Sequence, residues 1–211
     1  AAKVILEKGI DAPEVMNYIG LFKKVNLNKL GSEESTISFW LNSFNILCLF
    51  AFSFTKINFD GEIEKLKSFL TNCEFNIGGY EISLIQIVNV ILNSNIMDLR
   101  EFAESKDKSK VFRKFKLKNV KYENLIKFGI YIKDFIGNEF VVFNAKTLKD
   151  TLGDLTKKKL KECLECDKDK GILNIKSELL FLGESFQNFK VFKNYENYID
   201  KDIFNILKKK F

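Results

Sequence analysis

From Ser35 to Thr55 the chain carries no charged residue. Apolar side chains fill nearly every face that a helix through this run would present. The polar ones do not scatter: Ser35, Ser38, Asn42 and Asn45 recur at i, i+3, i+7 and i+10, which is one narrow stripe on a helix. Ser32 followed by Glu33 and Glu34 suits the start of that helix, a hydroxyl cap and then negative charge at the positive end of the dipole. A helix apolar on its other faces is buried, so its asparagines need partners. Two readings of the stripe stand: it hydrogen-bonds the backbone of neighbouring loops, or it lines a cleft.

The same pattern reading divides the rest of the chain. Residues 13–24 predict a short amphipathic helix with Val15, Tyr18, Ile19 and Phe22 on one side and Pro13 in a first helical position. Asp60-Gly61 breaks the chain after the apolar helix. Ile63, Leu66, Phe69 and Leu70 then mark a second amphipathic helix. Gly78-Gly79 between two short alternating runs is a two-residue hairpin turn, because such turns need positive φ. Ser83 and Gln86 form a capping box for a helix over 84–93, with Gln86, Asn89 and Asn93 on one face. Residues 98–106 read as a further helical piece. Residues 125–132 and 140–143 read as buried strands, and 171–175 as a third. Thr147 reads as the cap of one helix, residues 154–166 as another helix and 195–211 as a terminal helix. The predicted class is α+β: a helical first half packed on a small β-sheet with flanking helices.

Two of these stretches carry a family resemblance. Phe39-Trp40-Leu41-Asn42-Ser43-Phe44-Asn45 and then Ile77-Gly78-Gly79-Tyr80-Glu81-Ile82-Ser83-Leu84, with Ile87 and Ile91-Leu92, resemble the domain-of-unknown-function five-forty-seven family. Residues 126–130 and 171–175, then Phe181 and Phe186, continue it more weakly, so that it spans roughly residues 35–210. Residues 1–211 thus read as a single domain, 1–31 an N-terminal helical extension and 32–211 the family-like core.

The resemblance implies a polar site. Typical members carry Glu-His within the capped helix, a His ahead of the following apolar segment, and a Cys shortly after it. Here those positions read Val88-Asn89, Lys127 and Ile132, and an Asp-Phe near the C-terminus reads Ser185-Phe186. The scaffold signature survives while each polar site residue has gone, so the resemblance implies a pseudoenzyme.

Composition sharpens this. Histidine is absent from all 211 residues, so no Ser-His or Cys-His nucleophile pair can be built. Any zinc site would need cysteines and carboxylates alone. Four cysteines, Cys48, Cys73, Cys163 and Cys166, follow no disulfide pattern, and a reducing, cytoplasmic setting is expected. Lys3, Glu7 and Asp11 interrupt any apolar leader. The run 35–55 is long enough to test as a membrane span, but its asparagines and serines argue against one. Cys163-Leu164-Glu165-Cys166 falls near a helix C-terminus, where the dipole disfavours a thiolate, and no second pair is spaced to complete a zinc site. No metal, cofactor or small-molecule substrate is expected.

The net charge is +6. Its densest part is residues 106–121, where Lys106, Lys108, Lys110, Arg113, Lys114, Lys116, Lys118 and Lys121 stand against Asp107 alone. Phe112 and Phe115 lie among them. Lysines neutralise phosphates and exposed aromatics stack on unpaired bases, so these cations with Phe112 are the candidate RNA-binding residues. The other reading is a solvated lysine-rich loop or edge strand with its aromatics buried. Lys157 to Lys159 and Lys208 to Lys210 add further positive charge. A lysine-rich, histidine-free member of the family is similar to the dormancy factors of microsporidian ribosomes, which occupy the tRNA exit region and keep the ribosome idle. The expectation is a non-catalytic ribosome-associated factor, monomeric on its own, with rRNA and ribosomal proteins as partners and no membrane. The alternative is a protein-interaction adaptor without RNA contact; a residual hydrolase using Cys73 or Cys48 comes third.

Overall fold

Two helices open the described chain, α1 (Pro13–Leu21) and α2 (Glu33–Thr55). The computed structural model describes residues 13–59, 62–94, 96, 115–117, 122–132, 140–167, 172–182 and 189–210. The Asp60-Gly61 break, the helical piece expected over 98–106 and most of the basic stretch lie outside these residues. Ser32 caps α2 as its sequence predicts, its hydroxyl accepting from the Ser35 N–H at 3.2 Å. The helix stops at Lys56, which adopts a left-handed φ of 50° while its N–H reaches back to the Phe52 carbonyl. Trp40, Leu41, Phe44 and Leu47 on this helix are wholly buried. The helix is long and apolar enough to cross a membrane, yet 67% of that window is buried inside the protein. It is the axis of the core.

α1 runs into a 3₁₀ turn, Phe22–Lys24, and packs Val15 against Leu49 and Phe50 near the end of α2. α3 (Ile63–Asn72) buries Leu66, Phe69 and Leu70 as its spacing predicts, whereas Ile63 in its first turn stays exposed. The hairpin forms in the expected register: β1 (Glu74–Ile77) pairs antiparallel with β2 (Tyr80–Ser83), closing at Ile77↔Tyr80. Gly78 and Gly79 both take positive φ, 61° and 89°. Gly78 is doubly required. A Cβ there would lie 2.8 Å from both Leu27 Cγ and the Val25 carbonyl, and its N–H donates to the Phe22 carbonyl at 2.9 Å. The hairpin turn is therefore seated on residues 22–27, and Leu27 belongs to the main core.

α4 (Leu84–Gln86) starts with the predicted capping box, both arms present. It then widens into a π turn, Ile87–Ile91, all five residues buried. Leu117 crosses beside it, its N–H donating to the Ile91 carbonyl at 3.0 Å.

The strands expected over 125–132 and 140–143 do not form. The first is a helical turn, α5 (Glu123–Ile126), continued as a 3₁₀ turn, Lys127–Gly129. Residues 140–144 are irregular chain. A short, fully buried apolar run looks the same in either conformation, and periodicity cannot separate them. α6 (Leu148–Cys163) is one continuous helix where two were expected, one starting after Thr147 and another over 154–166; Thr147 precedes it as expected but without a side-chain cap bond. At Cys163 the chain turns into β3 (Leu164–Asp167), which pairs antiparallel with β4 (Ile172–Ile175). A 3₁₀ segment (Ser177–Leu182), α7 (Phe189–Lys193), a 3₁₀ turn (Glu196–Tyr198) and α8 (Lys201–Lys210) complete the described chain. The class is α+β, but two separate two-stranded sheets among the described residues replace the single small sheet.

Gly129 marks the tightest packing on α2. A Cβ there would stand 2.9 Å from Leu152 Cδ2 and from Phe143 Cζ, and 3.3 Å from Leu41 Cδ1. All three neighbours are buried, so none can swing away. Gly129→Ala is expected to destabilise the fold by about 1–3 kcal/mol through overpacking, read from urea denaturation of the two proteins.

Candidate functional site

The polar stripe of α2 faces chain that comes more than eighty positions later, and it holds that chain by its backbone. Asn42 Nδ2 donates to the Phe143 carbonyl at 2.8 Å, and the Phe143 N–H donates back to Asn42 Oδ1 at 2.8 Å. Asn45 repeats the arrangement one turn on: Nδ2 donates to the Gly129 carbonyl at 2.9 Å, and the Tyr131 N–H donates to Oδ1 at 2.9 Å. Asn89 in the π turn does the same for Ile96, giving a bond of 3.1 Å and accepting one of 2.7 Å. A primary amide offers the same donor and acceptor as a peptide group, so each asparagine acts as one residue of a missing strand. Asn42 and Asn45 thus serve the loop-binding reading; neither amide is left over to line a cleft. Ser38 and Trp40 differ. Both are buried, and among the described residues neither the Ser38 hydroxyl nor the Trp40 indole N–H has a hydrogen-bond partner.

The positions where the family resemblance implies reactive groups are interior. Val88 and Asn89 are 1% exposed, Lys127 4% and Ile132 wholly buried. The Val88 carbonyl takes both the Ser94 N–H and the Ser94 hydroxyl, the latter at 2.7 Å. Ser185 and Phe186 lie outside the described residues.

The C-x-x-C straddles a helix end and a strand. Cys163 closes α6 and Cys166 lies in β3. Cys163 is wholly buried, and its thiol donates to Glu178 Oε2 at 3.4 Å; Lys159 Nζ reaches the same oxygen at 3.2 Å. Burial, and then the Glu178 carboxylate, push the Cys163 thiol up to about 12 although Lys159 pulls the other way. Glu178 itself is raised by desolvation, but the Lys159 hydrogen bond and charge outweigh this and leave it below the ordinary carboxylate value. Burial also raises the thiols of Cys48 and Cys73. Such thiols are poor nucleophiles, since the thiolate is the reactive form. Among the described residues no three His, Cys, Asp or Glu side chains come together as metal ligands.

Of the basic stretch, the structure describes Phe115, Lys116 and Leu117. Leu117 is buried and strapped to the π turn, and Phe115 is half-buried with its ring edge-on to Tyr80 at 5.6 Å between centroids. Lys116 is half-buried between them. Lys106, Lys108, Lys110, Phe112, Arg113, Lys114, Lys118 and Lys121 lie outside the described residues. The second lysine cluster needs correction: Lys157 and Lys158 are exposed, but Lys159 is 8% exposed and paired with Glu178, so it adds no surface charge. Lys157, Lys161 and Lys201 rim a cleft of about 610 Å³ between α6 and the start of α8, faced by Asp200 and Asp202. Glu178 and Gly129 were not visible as partners in the sequence, because nothing local signals a contact made by one carboxylate oxygen or one missing Cβ.

A family model described as "Protein of unknown function, DUF547" matches residues 27–159. No curated protein and no solved structure matches the chain.

Two outcomes follow from this geometry. Asn45→Leu leaves the Gly129 carbonyl and the Tyr131 N–H unpaired and should cost about 1–3 kcal/mol for each orphaned group. Asn42→Leu should cost less, because Asn42 is half-buried where Asn45 is 1% exposed; equilibrium unfolding of both variants ranks them. At pH 8 a thiol raised to about 12 is thiolate in roughly one molecule in ten thousand. Iodoacetamide should therefore modify Cys166 well before Cys163 in the native protein, and both alike after unfolding, as read by peptide mass spectrometry.

Proposed function

The chain belongs to the family of proteins of unknown function DUF547, and from that premise we propose that it is a non-catalytic factor that associates with ribosomes in the cytoplasm and keeps them idle. The observation that carries this reading is the fate of the family's polar positions. Val88, Asn89, Lys127 and Ile132 are all buried, and Asn89 is committed to Ile96. A scaffold whose family-site positions hold a valine, a committed asparagine, a buried lysine and an isoleucine is suited to binding rather than turnover. The lysine-rich stretch 106–121 supplies cations for rRNA, and Leu117 fastens it to the core. The likeness to microsporidian dormancy factors gives the role its concrete form, occupancy of the tRNA exit region.

A protein-interaction adaptor without RNA contact is the second reading. The exposure of Met16, Leu21 and Phe54 favours it, at 59%, 53% and 69%, since large apolar side chains held in water are characteristic of docking faces.

Ribosome cosedimentation at several salt concentrations separates the two. Replacing Arg113, Lys114, Lys118 and Lys121 by glutamate, with half-buried Lys116 left intact, should weaken binding and flatten its salt dependence together. Each phosphate that is no longer neutralised should remove about 0.9 from the slope of log affinity against log salt on duplex RNA, and about 0.7 on single strands. Wild-type binding by a quadruple variant with an unchanged melting curve would favour the adaptor.

A further inference from the structure

Where the basic stretch meets the core there is a cavity of about 500 Å³. Leu27, Leu30 and Leu117 give it apolar walls, and Phe115 adds a ring. Asn28 and Thr36 give it polar edges. The Thr36 hydroxyl donates to the Ser32 carbonyl at 3.0 Å, which leaves its oxygen able to accept. Trp40 lies beneath, fully buried, with an indole N–H that has no acceptor among the described residues. Buried donors without partners are uncommon in native proteins and ask for a reason.

We infer that this cavity takes an unstacked base of a single-stranded RNA. The inference rests on the RNA contact proposed above and names the place where a base would leave the strand. A nucleobase has two apolar faces and an edge of donors and acceptors. The cavity offers apolar walls and an aromatic ring for the faces, and an amide and a hydroxyl for the edge. Glu33 also lines it and repels a phosphate from that wall, while Lys116 stands on the other side. This polarity puts a neutral base inside and its phosphate outside, beside Lys116. A base carbonyl reaching the floor would supply the acceptor that Trp40 lacks, once the side chains covering the indole part.

Trp40 is the only tryptophan in the chain, so its emission reports on this cavity alone. The full chain is titrated with a short end-labelled oligouridylate, following both label anisotropy and Trp40 emission. An abasic oligomer of equal length and charge is the control. The expected result is saturable change in Trp40 emission with the oligouridylate and none with the abasic strand, which binds more weakly. Thr36→Phe, which places a ring in the cavity from the surface of α2, should abolish the change and bring the two strands to equal affinity. Phe115→Ala removes one wall without adding bulk and should weaken oligouridylate binding roughly tenfold, with abasic binding unmoved. Equal binding of both strands with Trp40 emission unchanged would overturn the cavity as a base site and leave the RNA contact standing. Failure of either strand to bind at low salt would remove the RNA contact and, with it, the proposed occupant.

Discussion

Two side-chain amides one turn apart on a single helix hold together halves of the protein that are far apart in sequence. Through Asn42 and Asn45, α2 pairs with Phe143, Gly129 and Tyr131 in four bonds of 2.8–2.9 Å. The peptide groups so held are buried or half-buried, and in a dry interior such groups must be satisfied. The helix can come close enough only because residue 129 is glycine. Gly129 thus both offers the carbonyl and clears the space, and the packing of Leu41, Phe143 and Leu152 around it follows.

The same device explains why this family-like scaffold persists with a changed interior. Asn89 fixes Ile96 by the paired bonding that Asn42 and Asn45 use, at one of the positions where the family resemblance implies a polar site. Val88 beside it is buried, and its carbonyl is occupied by Ser94. An amide that closes a loop and a valine that fills space stabilise the fold at positions where a reactive pair would need solvent and substrate. The cysteines tell a similar story. Cys163 is held protonated against Glu178 by its burial, so its chemistry is that of a weak donor in a salt-bridged corner.

The sequence made the helical first half legible because its signals are local. A serine three residues before the N–H that donates to it, a Gly-Gly turn needing positive φ, and a Ser83–Gln86 box each state their own geometry. The second half was misread where the deciding partner lay elsewhere. Residues 125–132 are apolar enough for a strand, and it is Asn45, some eighty positions earlier, that settles their backbone. Lys159 reads as one more surface lysine in a run of three until Glu178 is brought beside it. The polar stripe on α2 and its bonding to loop backbone were both legible, but not which loops it holds, since a pattern fixes which residues share a face and does not name the segments that the face meets. Residues 22–27, read as extension and linker, are where the hairpin turn rests.

The π turn at Ile87–Ile91 carries one more residue than regular winding would hold in its place. Beyond it, every side chain is rotated by about 100° from where an α-helix would have left it. The cores on both sides have adapted to that offset: Leu84 and Ile85 before it and Leu92 after it are all wholly buried. Length and composition are therefore constrained differently here. Exchange of one aliphatic for another at Ile87, Val88, Val90 or Ile91 alters volume by a methyl group or so, whereas loss of a single residue would turn Leu92 out of phase with everything it packs on. This segment is one where substitutions can accumulate over time while insertions and deletions cannot.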